Sequence, residues 1–257
     1  MRPILSRLAL AGIALIAAGA AHAQSEAIPP LPAVKWSFDG PFGTFDRAAL
    51  QRGFQVYSQV CSNCHSMNLL AYGDLAGPGA LGYTEEQVKA IAAEKQVNDV
   101  DDNGQPAQRP ARPSDHFVAP FANEKAARAA NNGALPPDLS VIIKAREGGA
   151  DYVHAILTGF REAPADFPMA DGMNYNLYFP GHQIAMPPPL QDDSVAYADG
   201  TKATLDQEAR DVATFLTWAS EPTMEERKRT GVKVILFLLA LTGVLYGAKR
   251  RIWASLH

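Results

Sequence analysis

A mostly α-helical domain with long irregular loops, followed by one C-terminal transmembrane helix, is the fold class this sequence predicts. Three observations carry it. Apolar residues recur at helical spacing in two stretches, around residues 50–64 and 205–220. Nineteen prolines and twenty glycines among 257 residues point to long non-helical connections. One stretch near the C-terminus, 231–248, is apolar and long enough to cross a bilayer. The composition, 47% apolar and 19% charged, excludes a disordered or collagen-like chain. The length is enough for one or two compact domains with a sizeable core.

Residues 1–23 read as an export signal. Arg2 and Arg7 precede the apolar run Leu8 to Ala20, and Ala21-His22-Ala23 is a small-residue cleavage site. The run is short for a membrane span, which needs about 20 residues. At the other end, Val234 to Ala248 carries no charge, and Lys233 can snorkel outward. Basic clusters flank the span, Arg227-Lys228-Arg229 before and Lys249-Arg250-Arg251 after, with Tyr246 and Trp253 where interfacial aromatics sit. Four basic residues before the span and three after do not decide its orientation. The export signal does: it places the domain 24–226 in the periplasm of a bacterial inner membrane and leaves the tail 249–257 in the cytoplasm.

The formal net charge of −4 is a sum of opposites. Residues 24–226 hold 14 of the 23 basic residues and all 27 acidic ones, a net −13. Such a domain repels nucleic acid and attracts basic partners, unless the charge is merely a solvated surface.

Both cysteines fall in Cys61-Ser62-Asn63-Cys64-His65. This C-x-x-C-H run is the signature of covalent c-type haem attachment. Two thiols three residues apart on a helical turn reach the two haem vinyl groups, and the next residue presents an imidazole to the iron from the same side. A thioredoxin-like pair would need a nearby βαβ pattern, and a zinc site would need further ligands; neither is present in the sequence. Upstream, Leu50, Phe54, Tyr57, Cys61 and Cys64 share one helical face, with Asp46 as N-cap. Gly53 beside Phe54 leaves room for a second helix. The partner is the helix from about Leu205 to Ser220, opened by a Thr204-x-x-Gln207 capping box and carrying Val212, Phe215, Leu216 and Ala219 on one face. Two such crossing helices are the skeleton of a class I cytochrome c-like haem domain.

The second axial ligand has to come from Met67, Met169, Met173, Met186, Met224, His116, His154 or His182. Met67 is too near His65 to reach the opposite haem face, and Met224 adjoins the span. Met186 stands out because Pro187, Pro188 and Pro189 follow it and hold the chain stiff. Asp99-x-Asp101-x-Asn103-Gly104 begins like a calcium loop, but Pro110 stands where the closing glutamate belongs, so 97–114 reads as a proline- and glycine-rich surface loop.

With these residues in view, the chain resembles the cytochrome c1 family, the haem-bearing subunits of cytochrome bc1 complexes. The matching stretches are Val60-Cys-Ser-Asn-Cys-His-Ser-Met67, Ala129-Ala-Asn-Asn-Gly-Ala-Leu-Pro-Pro-Asp-Leu-Ser140, Gly148-Gly-Ala-Asp-Tyr152, Asn174-Tyr-Asn-Leu-Tyr-Phe-Pro-Gly181, Asp199-Gly-Thr201 and Asp211-Val-Ala-Thr-Phe-Leu-Thr-Trp218, with Arg227-Lys-Arg229 leading into the span. The resemblance implies one haem c on Cys61 and Cys64, with His65 and Met186 as iron ligands. It places Arg146 at the arginine that pairs with a haem propionate, and Asn131, Pro137 and Tyr152 in the haem pocket. The Pro137 carbonyl would orient the His65 ring. Some bacterial relatives carry an extra cysteine pair near the methionine; this chain has none, so its pocket is expected to be held by packing alone.

The resemblance further implies a redox subunit of a quinol–cytochrome c oxidoreductase in a dimeric complex. It would take electrons from the Rieske iron–sulfur protein, pass them to cytochrome c, and leave quinol chemistry to cytochrome b and the Rieske protein. No residue of its own acts as a general acid or base. Asp192, Asp193 and Asp199 are candidates for the docking surface. A stand-alone membrane-anchored carrier, a haem peroxidase and an assembly subunit with a silent haem are the competing readings.

Overall fold

The computed structural model of the protein describes residues 28–77 and 79–255. The expected export signal, 1–23, lies outside the described residues. In chain order the helices and strands are α1 (Arg47–Gln59), α2 (Glu85–Ala93), β1 (Gln96–Val100), β2 (Pro106–Pro110), α3 (Glu124–Ala130), α4 (Ile142–Ala145), α5 (Gly149–Thr158), β3 (Asn174–Tyr175), β4 (Gln183–Ile184), α6 (Leu205–Ser220) and α7 (Met224–Trp253).

The fold is organised by α1 crossing α6. Asp46 caps α1, its carboxylate accepting from the N–H groups of Ala48 and Ala49 at 2.9 and 3.3 Å. The helix turns Leu50, Gly53, Phe54, Val56 and Tyr57 inward. Gly53 sits where the helix axes approach: a Cβ there would lie 2.0 Å from the Asp211 carbonyl oxygen and 2.7 Å from Phe215 Cβ. Only a residue without a side chain permits that approach. Around the crossing, Phe215 stacks near Phe54 and Tyr57, and Phe117 joins them from the loop before α3. Each buried aromatic contributes up to about 3 kcal/mol of hydrophobic stabilisation. α5 and the short α4 cover the other flank of α6.

The α6 boundaries match the sequence pattern, and the cap differs from it. The Thr204 hydroxyl accepts from the Gln207 N–H at 3.2 Å. The Gln207 amide does not fold back to complete the box; it donates to Asp211 at 3.0 Å instead. The exposed first-turn N–H of Leu205 finds Asp192 at 2.8 Å. The Thr204 N–H, which Gln207 was expected to cap, donates to the Lys202 carbonyl at 3.0 Å.

Residues 97–114 are not an irregular loop. β1 and β2 form an antiparallel hairpin with Gln96 opposite Pro110 and Val100 opposite Pro106. Asp101 closes the turn, accepting from the N–H groups of Asn103 and Gln105, and Gly104 adopts φ +75°. The prolines stand at the two ends of β2, where a missing N–H does least harm to the ladder. Both strands are largely exposed, so no apolar alternation announced them.

α7 continues past the apolar stretch at both ends, taking in Arg227 to Arg229 and Lys249 to Arg251 without interruption. Its apolar side chains from Val234 to Leu245 are largely exposed, with no protein covering them. Its first turn is fastened to the domain. Glu225 accepts from the Phe45 N–H and from Arg47, both at 2.7 Å. Lys228 donates to the carbonyls of Phe38 and Gly43.

Candidate haem-attachment site

α1 runs directly into the C-x-x-C-H pentapeptide, which is wound as a tightened 3-10 turn. The N–H groups of Cys64 and His65 both return to the Cys61 carbonyl, at 3.1 and 2.9 Å. Ser62 and Asn63 reach back to the carbonyls of Ser58 and Gln59. Both cysteines are free thiols; Cys61 packs against the core and Cys64 is exposed. Burial pushes the Cys61 thiol up to about 12, so it is held as the neutral thiol.

His65 Nδ1 lies 2.8 Å from the Pro137 carbonyl oxygen. A carbonyl only accepts, so Nδ1 carries the proton and Nε2 keeps its lone pair. Burial lowers the His65 pKa, outweighing the opposing pull of the Pro137 hydrogen bond, and the ring stays neutral. That is the protonation state a metal-ligating histidine requires.

Asp138 fixes the carbonyl that orients the ring. One of its oxygens accepts from the Ser66 hydroxyl and the Asn68 N–H, each at 2.8 Å; the other accepts from the Ser140 N–H at 2.9 Å. Ser140 Oγ in turn accepts from the Leu69 N–H at 3.1 Å. Burial alone would raise the Asp138 pKa, but these donors prevail and hold it below the usual carboxylate range. Asp138, Ser66 and Ser140 were missed in the sequence. The Asp-x-Ser spacing of an Asx turn was the available signal.

Met186 is half-buried, two residues beyond β4. The β3–β4 ladder, with Asn174 opposite Ile184, and the left-handed Gly181 and His182 bring the chain to that point. Several of the other candidates are otherwise engaged. Met67 is fully buried in the core and Met224 is buried at the start of α7. His154 meets Asp206 at 2.9 Å, and His182 Nδ1 faces the Asn176 carbonyl at 3.2 Å. His116 pairs its backbone with Ala71. Met169 and Met173 lie half-buried in the loop before β3.

Arg146 is exposed and donates to the Ala145 carbonyl; it is near enough to Tyr152 to oppose, by its charge, the rise that burial imposes on the phenol pKa. Asn131 ends α3 and donates to the Ala127 carbonyl at 2.7 Å. Of the docking trio, Asp192 is exposed and accepts from the Leu205 N–H, which leaves its charge uncompensated, whereas Asp199 is paired with Arg52. Beside the packing of Leu190, Val195 and Tyr197, polar contacts fasten the stretch that follows Met186, including Glu208 accepting from the Val195 N–H at 3.1 Å.

Two free thiols and one neutral imidazole on a single turn suit a tethered macrocycle. They do not suit a bare ion: among the described residues no group of three or more His, Cys, Asp or Glu side chains could hold one. A helix ending in C-x-x-C-H and crossing a C-terminal helix at a glycine defines a c-type cytochrome. The model of the cytochrome C1 family matches residues 36–256, and this chain belongs to that family. It is 45% identical to "Cytochrome c1" of Rhodospirillum rubrum over 98% of both chains. It is 48% identical to "Cytochrome c1, heme protein, mitochondrial" of Saccharomyces cerevisiae over 88% of this chain and 72% of that one. With "Cytochrome b/c1" of Bradyrhizobium diazoefficiens it shares 46% identity over 97% of its own length, but spans only 40% of that longer protein. The chain is therefore an electron-transfer subunit of the cytochrome bc1 complex, anchored in the membrane by α7.

Proposed function

We propose that this subunit accepts electrons from the Rieske iron–sulfur protein and delivers them to a cytochrome c, beside cytochrome b in a dimeric complex. The observation that carries the reading is the His65–Pro137 contact of 2.8 Å at the end of the Cys61–Cys64 turn. Cys61 and Cys64 would hold one haem c through thioethers, and His65 and Met186 would be its axial ligands. When bound, that haem supplies a one-electron ferrous–ferric couple. The protein's part would be to hold it: Pro137 fixes the His65 tautomer, Arg146 would pair with a propionate, and Asn131 and Tyr152 would line the pocket. A methionine rather than a second histidine would set the potential high.

The export signal would place residues 24–226 in the periplasm and 249–257 in the cytoplasm. The net −13 of the exported part supports a basic cytochrome as acceptor. The fused name of the Bradyrhizobium relative supports cytochrome b as a neighbour.

Gentle detergent purification tests the reading, with subunits identified and redox spectra taken on one sample. The subunit should co-purify with cytochrome b and an iron–sulfur protein and be reduced by quinol, with a methionine–iron charge-transfer band that peroxide and carbon monoxide leave unchanged. A haem subunit that emerges alone and resists reduction by quinol would overturn it.

A further inference from the structure

Arg52 lies on α1, nine residues before Cys61. Its guanidinium spends three N–H groups on two carboxylates. Nε and Nη2 grip Asp211 of α6 at 2.8 and 3.0 Å, and Nη1 reaches Asp199 at 2.8 Å. Gln207 also donates to Asp211, at 3.0 Å, so that buried carboxylate is well satisfied. The Arg52 carbon lies 5.7 Å from the centre of the Tyr197 ring.

Asp199 belongs to the irregular stretch between Met186 and α6. That stretch is fastened at several points. Leu190, Val195 and Tyr197 are buried in the core. Gln55 of α1 donates to the Ala196 carbonyl at 2.8 Å, and the Asp193 N–H meets the Ala203 carbonyl at 2.6 Å. Between Met186 and the first buried anchor, Leu190, stand only three prolines, which leave little slack. The helix that ends in the cysteines therefore also holds the far end of the segment that starts at Met186.

We propose that Arg52 and Asp199 are positioning residues for Met186, setting where its sulfur sits relative to the His65 side by tying its segment to α1. The proposal rests on Met186 being the second iron ligand. The Arg52–Asp211 pair joins two helices already packed together at Gly53. The bond to Asp199 does something that pair cannot, since it extends the hold from the helices to the loop. Arginine suits the role because its planar fork serves both carboxylates at once, whereas a lysine ammonium has no fixed fork. When Asp199 is neutralised the 15%-exposed Arg52 keeps its pair with Asp211, so no uncompensated buried charge is left.

The test uses the full-length, haem-loaded subunit in its complex, with three variants: Asp199→Asn, Asp199→Glu and Arg52→Lys. Each is read by the methionine–iron charge-transfer band, the midpoint potential and carbon monoxide binding to the reduced protein, with circular dichroism reporting the fold. Asp199→Asn should keep the helical signal, lower the potential and raise the carbon monoxide-reactive fraction roughly two- to fivefold, the range an exposed ion pair supplies. Arg52→Lys should act in the same direction, and Asp199→Glu should restore the band. A wild-type band, potential and carbon monoxide response in a folded Asp199→Asn protein would overturn the proposal and leave the ligand assignment standing. Should Met186→Leu retain the charge-transfer band, the ligand assignment itself falls, and the proposal with it.

Discussion

The two sides of the haem-attachment site are built by different means. On the histidine side everything is short-range in space and rigid: a helix end, a 3-10 turn, and one carboxylate, Asp138, gathering three donors around the carbonyl that orients the ring. On the methionine side the chain is irregular from 185 to 204, and its position is set from a distance by side chains of α1 and α6. The histidine side joins one contiguous pentapeptide to a single short loop 70 to 72 positions on, whereas the methionine side is placed by several contacts from two helices. The histidine therefore depends on the one loop that carries Pro137 and Asp138, while the methionine answers to the packing of the two helices.

The largest expected break in that comparison comes from the ligands. Cys64→Ser should weaken or abolish covalent attachment, read as loss of haem stain on a denaturing gel, whereas Met186→Leu should keep the stain and lose the charge-transfer band. Next is the helix crossing. Gly53→Ala places a methyl group 2.0 Å from a carbonyl oxygen, which over-packing makes costly by about 3 kcal/mol. Its thermal midpoint should fall, and the methionine band should fade before the haem is released. A smaller effect, about 2 kcal/mol, is expected for Asp138→Ala, which strands partly buried donors. That variant should disturb the His65 environment, followed by imidazole resonances, and leave the methionine band.

The smallest effect is in the pH profile. Asp199 is held at about 2, chiefly by the Thr201 N–H and then by Arg52. A carboxylate so depressed stabilises the fold above its ordinary value near 3.8 and loses that contribution as pH falls towards 2. Burial raises the Glu208 pKa, so its contribution runs the other way and weakens the fold as pH rises above about 4.5. Thermal midpoints against pH should flatten below 4 in Asp199→Asn and flatten above 4.5 in Glu208→Gln.

The same division governs what could be read from the sequence. Cys61, Cys64 and His65 form one contiguous word, and Asp46, Gly53 and the α6 face follow helical rules that act over a few residues. The anchor declares itself by length and apolarity. What escaped was set by distant partners. Arg52 lies 147 positions from Asp199 and 159 from Asp211, and no local pattern marks it. The β1–β2 hairpin escaped because its strands bury almost nothing, so its order comes from a turn and a ladder rather than an apolar face. Gln207 misled because its side chain turns to donate to the buried Asp211, while the Thr204 N–H it was expected to cap donates to the Lys202 carbonyl.

The junction of α7 with the domain has a mechanical consequence. Glu225 and Lys228 bind the base of the anchor to the start of α1, and no loop intervenes between that base and the membrane helix. α1 is 13 residues long, so the attachment turn stands roughly 20 Å along a strut from the anchored end. The anchor and the strut form one cantilever, with its redox end at a set offset from its foot. Among the described residues α7 runs from this foot through the apolar stretch without a break, so the foot and the anchor turn together.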